Sequence, residues 1–563
     1  MKIKNIIYKG SMMLASVAIL ASCVDQLDTL PDNRTTLDTP KKIAGLLVTA
    51  YPDRTPTLFN EWMSDNTDYM GAQNSQGNRG GDQYFFWQEQ TEGGNDSPEQ
   101  VWMLYYGGIY KANEALAAIE DQGGPKNDIL RNSKGEALVL RAYNHFVLAN
   151  EFCRPYNGKT STKDAGLYYA TGIADFSAAA EQSVRGTVAE DIEAGIPLIN
   201  DTYEVPKYHF NKQAAYAFAT RFYLYYEKWE KAKEYADKLL GSNPAASLRD
   251  YASLQAMPLS KSEQAVKIAE AYCSASADCN LLIQTSVSNA GMALAPWLTS
   301  KRYTLTNYLS ETELFQSNNI WGTSSNLIWK PFTVNQAESN FALLMKLPRE
   351  MEIVNTTTGS GYLRTLNVDF TMDEALLNRA EAEIMLGQND AACADMTIWM
   401  KNFFNTNVTL TPTSVQTYFK TVPYAYADAD KMVPSFKKHI SPRFTIDVEG
   451  SVQESLLQCM LNFRRIETVH QGLRWMDIRR YNIEIPRRLI GVNGRPSKNL
   501  DWLEKDDPRQ VVQIPQSIRE SGVAGNPVKA LAAGAKVVDL SLYKLPVLSA
   551  VNQYSAPVSA HTF

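Results

Sequence analysis

Three stretches of this chain repeat one helical pattern, and that repetition limits the possible folds more than any other feature. They are Ala137–Phe146, Ala217–Tyr226 and Ala375–Ile384. Each places apolar residues at helical spacing. The second runs Ala215, Phe218, Ala219, Phe222, Tyr226 and Trp229, the i, i+3, i+4, i+7 spacing of one helix face. Arg141, Arg221 and Arg379 fall at the matching place in each stretch. The second and third also continue alike. A short break, at Glu227-Lys228 or at Leu386-Gly387-Gln388, leads into a second stripe: Ala232, Tyr235, Ala236 and Leu239 in one, Ala392, Met396 and Met400 in the other. Helix, tight turn, helix, with small residues at the crossing, predicts packed helix pairs.

This is the logic of tetratricopeptide repeats. The copies are unevenly spaced and separated by long insertions, so no regular solenoid is expected. Ser133…Glu136, Thr187…Glu190 and Thr371…Glu374 read as capping boxes at helix starts, and Gly387 as a helix stop. Strand-like segments are few and short, and the expected fold is mainly α. The insertions Asp65–Pro98 and Gln284–Thr333 are rich in Asn, Gly, Ser, Thr and aromatics. Loops longer than about 15 residues in a compact domain usually carry function, and their aromatics favour order.

The N-terminus constrains location. Lys2, Lys4 and Lys9 precede a short apolar run, Ser11 to Leu20. A membrane-spanning helix needs about 20 apolar residues, so the run reads as an export signal. Leu20-Ala21-Ser22-Cys23 follows and resembles the lipobox of bacterial lipoproteins. Residues 1–22 are then the signal peptide and Cys23 the lipidated residue, with 23–33 as a tether. One acyl chain anchors only marginally, at about 0.8 kcal/mol per buried CH2; the two or three chains of a lipoprotein cysteine hold. Asp25, Asp28 and Asp32 resemble the surface-export signal of Bacteroidetes lipoproteins, and also suit a solvated tether. A net charge of −6 argues against nucleic acid as partner.

Signals of chemistry are sparse. Of the cysteines beyond Cys23, Cys273 and Cys279 are near enough in sequence to close a small loop in an oxidising compartment. Cys153, Cys393 and Cys459 sit in apolar helical contexts. There is no C-x-x-C, H-E-x-x-H, G-x-S-x-G or phosphate-cradling loop. Asp65-Asn-Thr-Asp68 lacks the spacing and glycine of a calcium loop. No metal, cofactor or catalytic residue is assigned. Glu136, Arg141, Arg465, Glu467, Arg474, Asp477 and Arg479, with Trp475 among them, read as salt bridges that fix helix crossings. The alternative, the carboxylate pair of a hydrolase, needs two acids across a cleft at about 5–9.5 Å.

With these pieces placed, the chain resembles the SusD/RagB family of nutrient-binding outer-membrane lipoproteins. Trp62-Met-Ser-Asp-Asn66 is similar to the family's early L-x-S-D segment, and Trp102, Tyr106, Ile109 and Asn113 to its W…Y…I…N helix. Lys134-Gly-Glu-Ala-Leu-Val-Leu-Arg-Ala-Tyr143 with Phe146 resembles G-E-A-x-x-L-R-A-x-x-x-F, and Arg185-Gly-Thr-Val188 resembles R-x-T-V. Arg464-Arg-Ile-Glu467 and Gly472-Leu-Arg-Trp-Met-Asp-Ile-Arg-Arg480 resemble R-R-x-E…G-x-R-W-x-D-L-R-R. Gln513-Ile-Pro-Gln-Ser517 and Gly525-Asn-Pro527 resemble the closing P-I-P-x-S…N-P. The matches run through nearly the whole chain in order. The resemblance implies a single large domain with irregular helix pairs and loop insertions: an N-terminal region over 34–335, a C-terminal region over 336–527, and an atypical extension over 528–563.

The resemblance further implies a non-enzymatic lid that binds oligosaccharide and passes it to a SusC-like TonB-dependent transporter. In the family, ligand residues come largely from loops beside the helices, often Trp or Tyr with Asn or Asp. Trp and Tyr suit sugars because an apolar face comes with a polar handle. Trp102, Trp229, Trp399 and Trp475 sit in helical patterns and read as core. Tyr84 and Trp87 follow a glycine-rich approach, and Trp297 and Trp321 lie in the central insertion. The expected ligand residues are therefore Tyr84, Trp87, Trp297 and Trp321, with Asn318 or Asn319 as polar partner. Three other readings stand beside this one: a RagB-like lid for peptides, a surface glycoside hydrolase, and a tetratricopeptide scaffold for another protein.

Overall fold

The computed structural model describes residues 36–71, 74, 79–172, 184–259, 262–295, 300–336, 339–425 and 433–526. The signal segment, Cys23, the tether, Trp297 and the 528–563 extension lie outside the described residues.

Helices form the scaffold. α1 (Pro98–Asp121) and α2 (Asp128–Phe152) pack together, and α3 (Val184–Gly195) lies against α2. α4 (Lys212–Tyr225) pairs with α5 (Trp229–Leu240), and α6 (Met372–Met385) with α7 (Asn389–Phe403). α8 (Val452–Glu467) packs on α6 and leads to α9 (Leu473–Tyr481). The expected helix pairs are therefore present, and the matched arginines tie them together. Arg141 of α2 forks onto Asp191 of α3 at 2.6 and 2.7 Å. Arg379 of α6 forks onto Asp395 of α7 at 2.7 and 2.8 Å. Arg221 of α4 reaches Glu374 of α6 at 2.7 Å. Forked guanidinium–carboxylate pairs fix geometry as well as contributing energy.

α2 is buried nearly all round, as expected of a helix at the centre of a large protein. Its polar residues are accommodated inside. The His145 ring stacks on Tyr169 at 3.9 Å, and burial pulls its pKa down to about 3, so the ring is neutral. α2 begins earlier than the capping-box reading placed it. Asn127 is its N-cap, with Oδ1 accepting from Leu130 N at 2.9 Å, so Ser133 and Glu136 lie within the helix. Thr187 likewise lies within α3. Thr371 caps α6 as expected, accepting from Glu374 N at 3.1 Å. Gly387 follows α6 with φ of +73°, a left-handed stop that glycine adopts without strain.

Among the described residues, the strands build three sheets, ordered β3-β1-β8-β9, β2-β7-β6 and β4-β5. β1 is Asp68–Tyr69, β2 Asn280–Val287, β3 Tyr303–Thr304, β4 Phe332–Gln336, β5 Ser339–Leu343, β6 Arg349–Asn355, β7 Ser360–Thr371, β8 Ile485–Ile490 and β9 Pro496–Leu503. At twelve residues β7 is longer than the sequence suggested. Its inner half is largely buried, while its outer half and the fully exposed β6 form a projecting hairpin. The described parts of both insertions cover the scaffold with short elements. The first holds β1 and a helix at Arg79–Phe85; the second holds β3 and a helix at Asn307–Glu313. Cys273 and Cys279 are both buried free thiols, pushed up to about 12 by burial. Among the described residues, no helix is long and apolar enough to cross a membrane.

Candidate functional site

The charged motif residues are internal fastenings. Arg474 forks onto Asp65 at 2.8 and 3.0 Å. Arg465 donates to Asp65 O at 2.7 Å and to Glu313 at 3.1 Å. Arg488 bridges Asp68 at 2.7 Å and Glu313 at 2.6 Å, and Lys438 reaches Glu313 at 2.9 Å. All of these groups are buried. Burial alone would raise the Glu313 carboxyl. Lys438, Arg488 and Arg465 outweigh it and hold Glu313 well below the usual carboxylate range. Asp477 pairs with Arg464 at 2.9 Å. Glu467 accepts from Tyr251 OH and Trp399 Nε1, both at 2.8 Å. Glu136 accepts from Tyr51 OH at 2.7 Å, and Arg479 donates to the backbone oxygens of Asn150 and Cys153. The loop before α9 is held by Glu61, which accepts from His470 N at 2.8 Å and Gly472 N at 3.2 Å. Gly472 has φ of +74°, and a Cβ there would sit 3.0 Å from Thr57 Cα. Glu313, Lys438 and Arg488 were not singled out from sequence, and Asp68 was weighed only within a rejected calcium loop. The one available signal was a charge at Glu313 beside Leu309, Leu314 and Phe315.

Three of the expected ligand aromatics, Tyr84, Trp87 and Trp321, lie inside, and Trp297 is outside the described residues. Tyr84 is 6% exposed, stacks on Phe59 and donates its hydroxyl to Asp96 O at 3.0 Å. Trp87 is 4% exposed, and its indole N–H donates to Met63 O at 2.9 Å. Trp321 is 1% exposed and stacks face to face on Phe404, centroids 4.0 Å apart. Asn319 is buried and donates to Asn462 Oδ1 at 2.9 Å, whereas Asn318 is exposed. Buried rings with occupied faces offer no platform to a sugar, so Tyr84, Trp87 and Trp321 act as core in this structure. Nor do they share a place: Trp87 lies against Met63 and Arg487, Trp321 against Phe404 and Phe463.

A half-buried ring in this region is Trp62. It belongs to the helix Thr57–Met63 and rests on Tyr303 at 5.3 Å and Tyr84 at 6.3 Å. It also borders a small apolar cluster of Leu58, Leu294 and Leu347. The Trp62 indole N–H has no hydrogen-bond partner. Beyond Tyr303 lies Asp82, half-buried, which accepts from the Tyr303 hydroxyl and pairs with Arg302 at 3.4 Å. Trp62 had been noticed only as part of a motif.

The other face of the same helix looks inward on a cavity of ≈ 90 Å³. Asn60, Glu151, Asn367, Asp369, Tyr105 and Tyr143 are among its walls. Asn60 Nδ2 donates to Glu151 Oε1 at 2.8 Å, and Tyr143 OH to Asp369 Oδ2 at 3.3 Å. Burial raises Glu151 to about 7 and Asp369 to about 6; Arg479 and Arg221 respectively oppose the shift without cancelling it. Among the described residues, no three metal-ligating side chains gather in one place.

Comparison with known proteins gives the fold its relatives. Residues 25–224 match the SusD-like_3 family model, described as "Starch-binding associating with outer membrane". No curated protein matches the chain. Among solved structures, a SusD superfamily protein of Bacteroides thetaiotaomicron is similar at 18% identity and a TM-score of 0.58, over 88% of this chain and 100% of that one. A SusD-like carbohydrate-binding protein of Bacteroides vulgatus is similar at 16% identity and a TM-score of 0.55, over 86% and 96%. A laminarin-binding SusD-like protein is similar at 15% identity and a TM-score of 0.50, over 88% and 100%.

Proposed function

We propose that this chain, whose residues 25–224 match the SusD-like_3 family model and whose fold is that of SusD superfamily structures, binds oligosaccharide at the outer membrane and delivers it to a SusC-like TonB-dependent transporter. The observation that carries this reading is the family match over residues 25–224, whose description joins starch binding to the outer membrane. The carbohydrate-binding and laminarin-binding structures of the same fold add support. In this reading Cys23 carries the lipid anchor and the body faces outward from the cell. The chain captures cargo without cutting it.

The glycan surface we assign is the rim at Trp62 and Asp82. A half-buried indole near a half-buried carboxylate supplies the stacking face and polar group that a sugar ring needs. Asn318, exposed in the central insertion, remains a candidate polar contact elsewhere on the surface. Peptide cargo is the alternative for the same lid.

Calorimetric titration of the chain from Val24 onward against β-glucans, α-glucans and a mixed peptide pool tests the reading. Saturable binding of a glycan that emerges unhydrolysed is expected. Binding of peptides alone would transfer the assignment to peptide cargo, and hydrolysis of any glycan would defeat the binding-only role.

A further inference from the structure

The inner cavity keeps polar groups of both kinds unused. Arg221 commits Nε and Nη2 to Glu374 and to Asp369 O. Asp369 accepts from Tyr143 through Oδ2, and Asn150 Nδ2 donates to Phe146 O. Among the described residues, that leaves Arg221 Nη1, Asp369 Oδ1, Asn150 Oδ1 and the Tyr225 hydroxyl without a hydrogen bond. Unlike Asn60 Oδ1 or Glu151 Oε2, none of these four atoms is sealed from solvent. Arg221, Asn150 and Tyr225 are only 5%, 8% and 9% exposed and all line the cavity, so the surface they keep opens into it. The rings of Tyr105, Tyr143, Phe146, Tyr225 and Tyr272 also form its wall. Two cations, Arg221 and Lys346, and two acids, Glu151 and Asp369, share that wall, so an anion and a cation would each meet like charge. Half-buried Val147, Gln471 and Leu473 line the less buried side.

We propose that this cavity binds one neutral sugar ring, as a free monosaccharide or as the terminal residue of a chain. A sugar hydroxyl is both donor and acceptor. It suits a wall that offers Arg221 Nη1 as donor and the oxygens of Asp369, Asn150 and Tyr225 as acceptors. The C–H faces of the ring are apolar and pack on the aromatic walls. The cavity of ≈ 90 Å³ holds roughly six to nine waters, on the order of 180–270 Å³ of liquid. That is room for one pyranose and not for two. The site is therefore separate from the outer rim at Trp62, and it stands whatever that rim binds.

Calorimetric titration of the chain from Val24 onward with glucose, galactose, mannose and xylose, and with glucuronate and glucosamine as charged controls, tests the assignment. At least one neutral sugar should bind saturably, one to one, and at least tenfold more tightly than either control. Asn150→Leu, which removes Oδ1, should weaken that binding at least tenfold. Competition by the matching trisaccharide separates the sources: displacement of the monosaccharide identifies a chain end, and no displacement a free sugar. Failure of all four neutral sugars to saturate would overturn the proposal and leave a water-filled cavity. An affinity that falls on Trp62→Ala and not on Asn150→Leu would put the sugar at the rim and overturn it too. If Asn150→Leu does not fold, a crystal of the unaltered chain soaked in the sugar decides. A ring in the cavity supports the site, and ordered water there at saturating sugar refutes it.

Discussion

The guanidinium of Arg487 lies 3.8 Å from the centre of the Trp87 ring, and both groups donate to the same carbonyl, Met63 O, at 2.6 and 2.9 Å. The two are 400 positions apart in sequence. Strand β8 thus delivers a cation that closes one face of an indole belonging to the first insertion, and the pair seals that insertion to the scaffold.

Trp87→Ala should destabilise the protein by about 3–5 kcal/mol, the usual cost of emptying a buried tryptophan site. Glycan affinity of the folded fraction should stay unchanged. Denaturant unfolding and calorimetry measure the two effects separately; an affinity loss without destabilisation would restore Trp87 as a ligand residue.

Trp62→Ala should do the reverse. Its ring is only half-buried, so the loss of stability should be smaller, while glycan binding falls about tenfold or more, an effect of roughly 1.4 kcal/mol. Comparing Kd values by calorimetry settles it, and an unchanged Kd removes the rim assignment.

Glu313→Gln should be among the costliest single changes. It strips the shared carboxylate from Lys438, Arg465 and Arg488, all buried. Breaking a buried ion pair from one side costs about 3–5 kcal/mol. Because the folded-state pKa of Glu313 is depressed, its contribution is present at neutral pH and is lost as pH falls below the ordinary glutamate value. An acid titration of unfolding free energy should therefore be flatter in the variant.

Glu151 titrates with the opposite sign. Burial raises it to about 7 from 4.5, so the folded state binds its proton more tightly than the unfolded chain does. Its contribution is complete below about pH 4.5 and fades as pH rises through 7, by about 3 kcal/mol at most. Glu151→Gln should remove that loss, so the variant gains on the unaltered protein between pH 5 and 8. Unfolding free energies at the two pH values check it.

Part of this was legible in the sequence. Arg141, Arg221 and Arg379 stood at matching places in a repeated helical pattern, and each forks or reaches across to a neighbouring helix. Thr371 and Gly387 were recognisable as a cap and a stop because each acts on residues within a few positions. Ser133 misled because the apolar stripe strengthens there, whereas Asn127 caps α2 with Leu130, not a glutamate, three residues on. Tyr84, Trp87 and Trp321 misled for another reason. Glycine- and asparagine-rich flanks say that a segment is irregular, but not which way its rings turn. That is decided by distant partners such as Arg487, Phe404 and Phe463. The polar cavity could not be foreseen, since its walls come from the helix Thr57–Met63, α1, α2, β7 and the loop before α9.

The Glu313 junction also has a consequence for how the chain can be divided. Its carboxylate comes from the central insertion and its three cations all arrive later, between residues 438 and 488. A fragment ending near residue 335 would carry Asp65, Asp68 and Glu313 into its interior with every neutralising partner missing. Assembly must therefore wait for the last segments of polypeptide, and a secretion or display scheme that releases the front portion early should yield material that proteases clear.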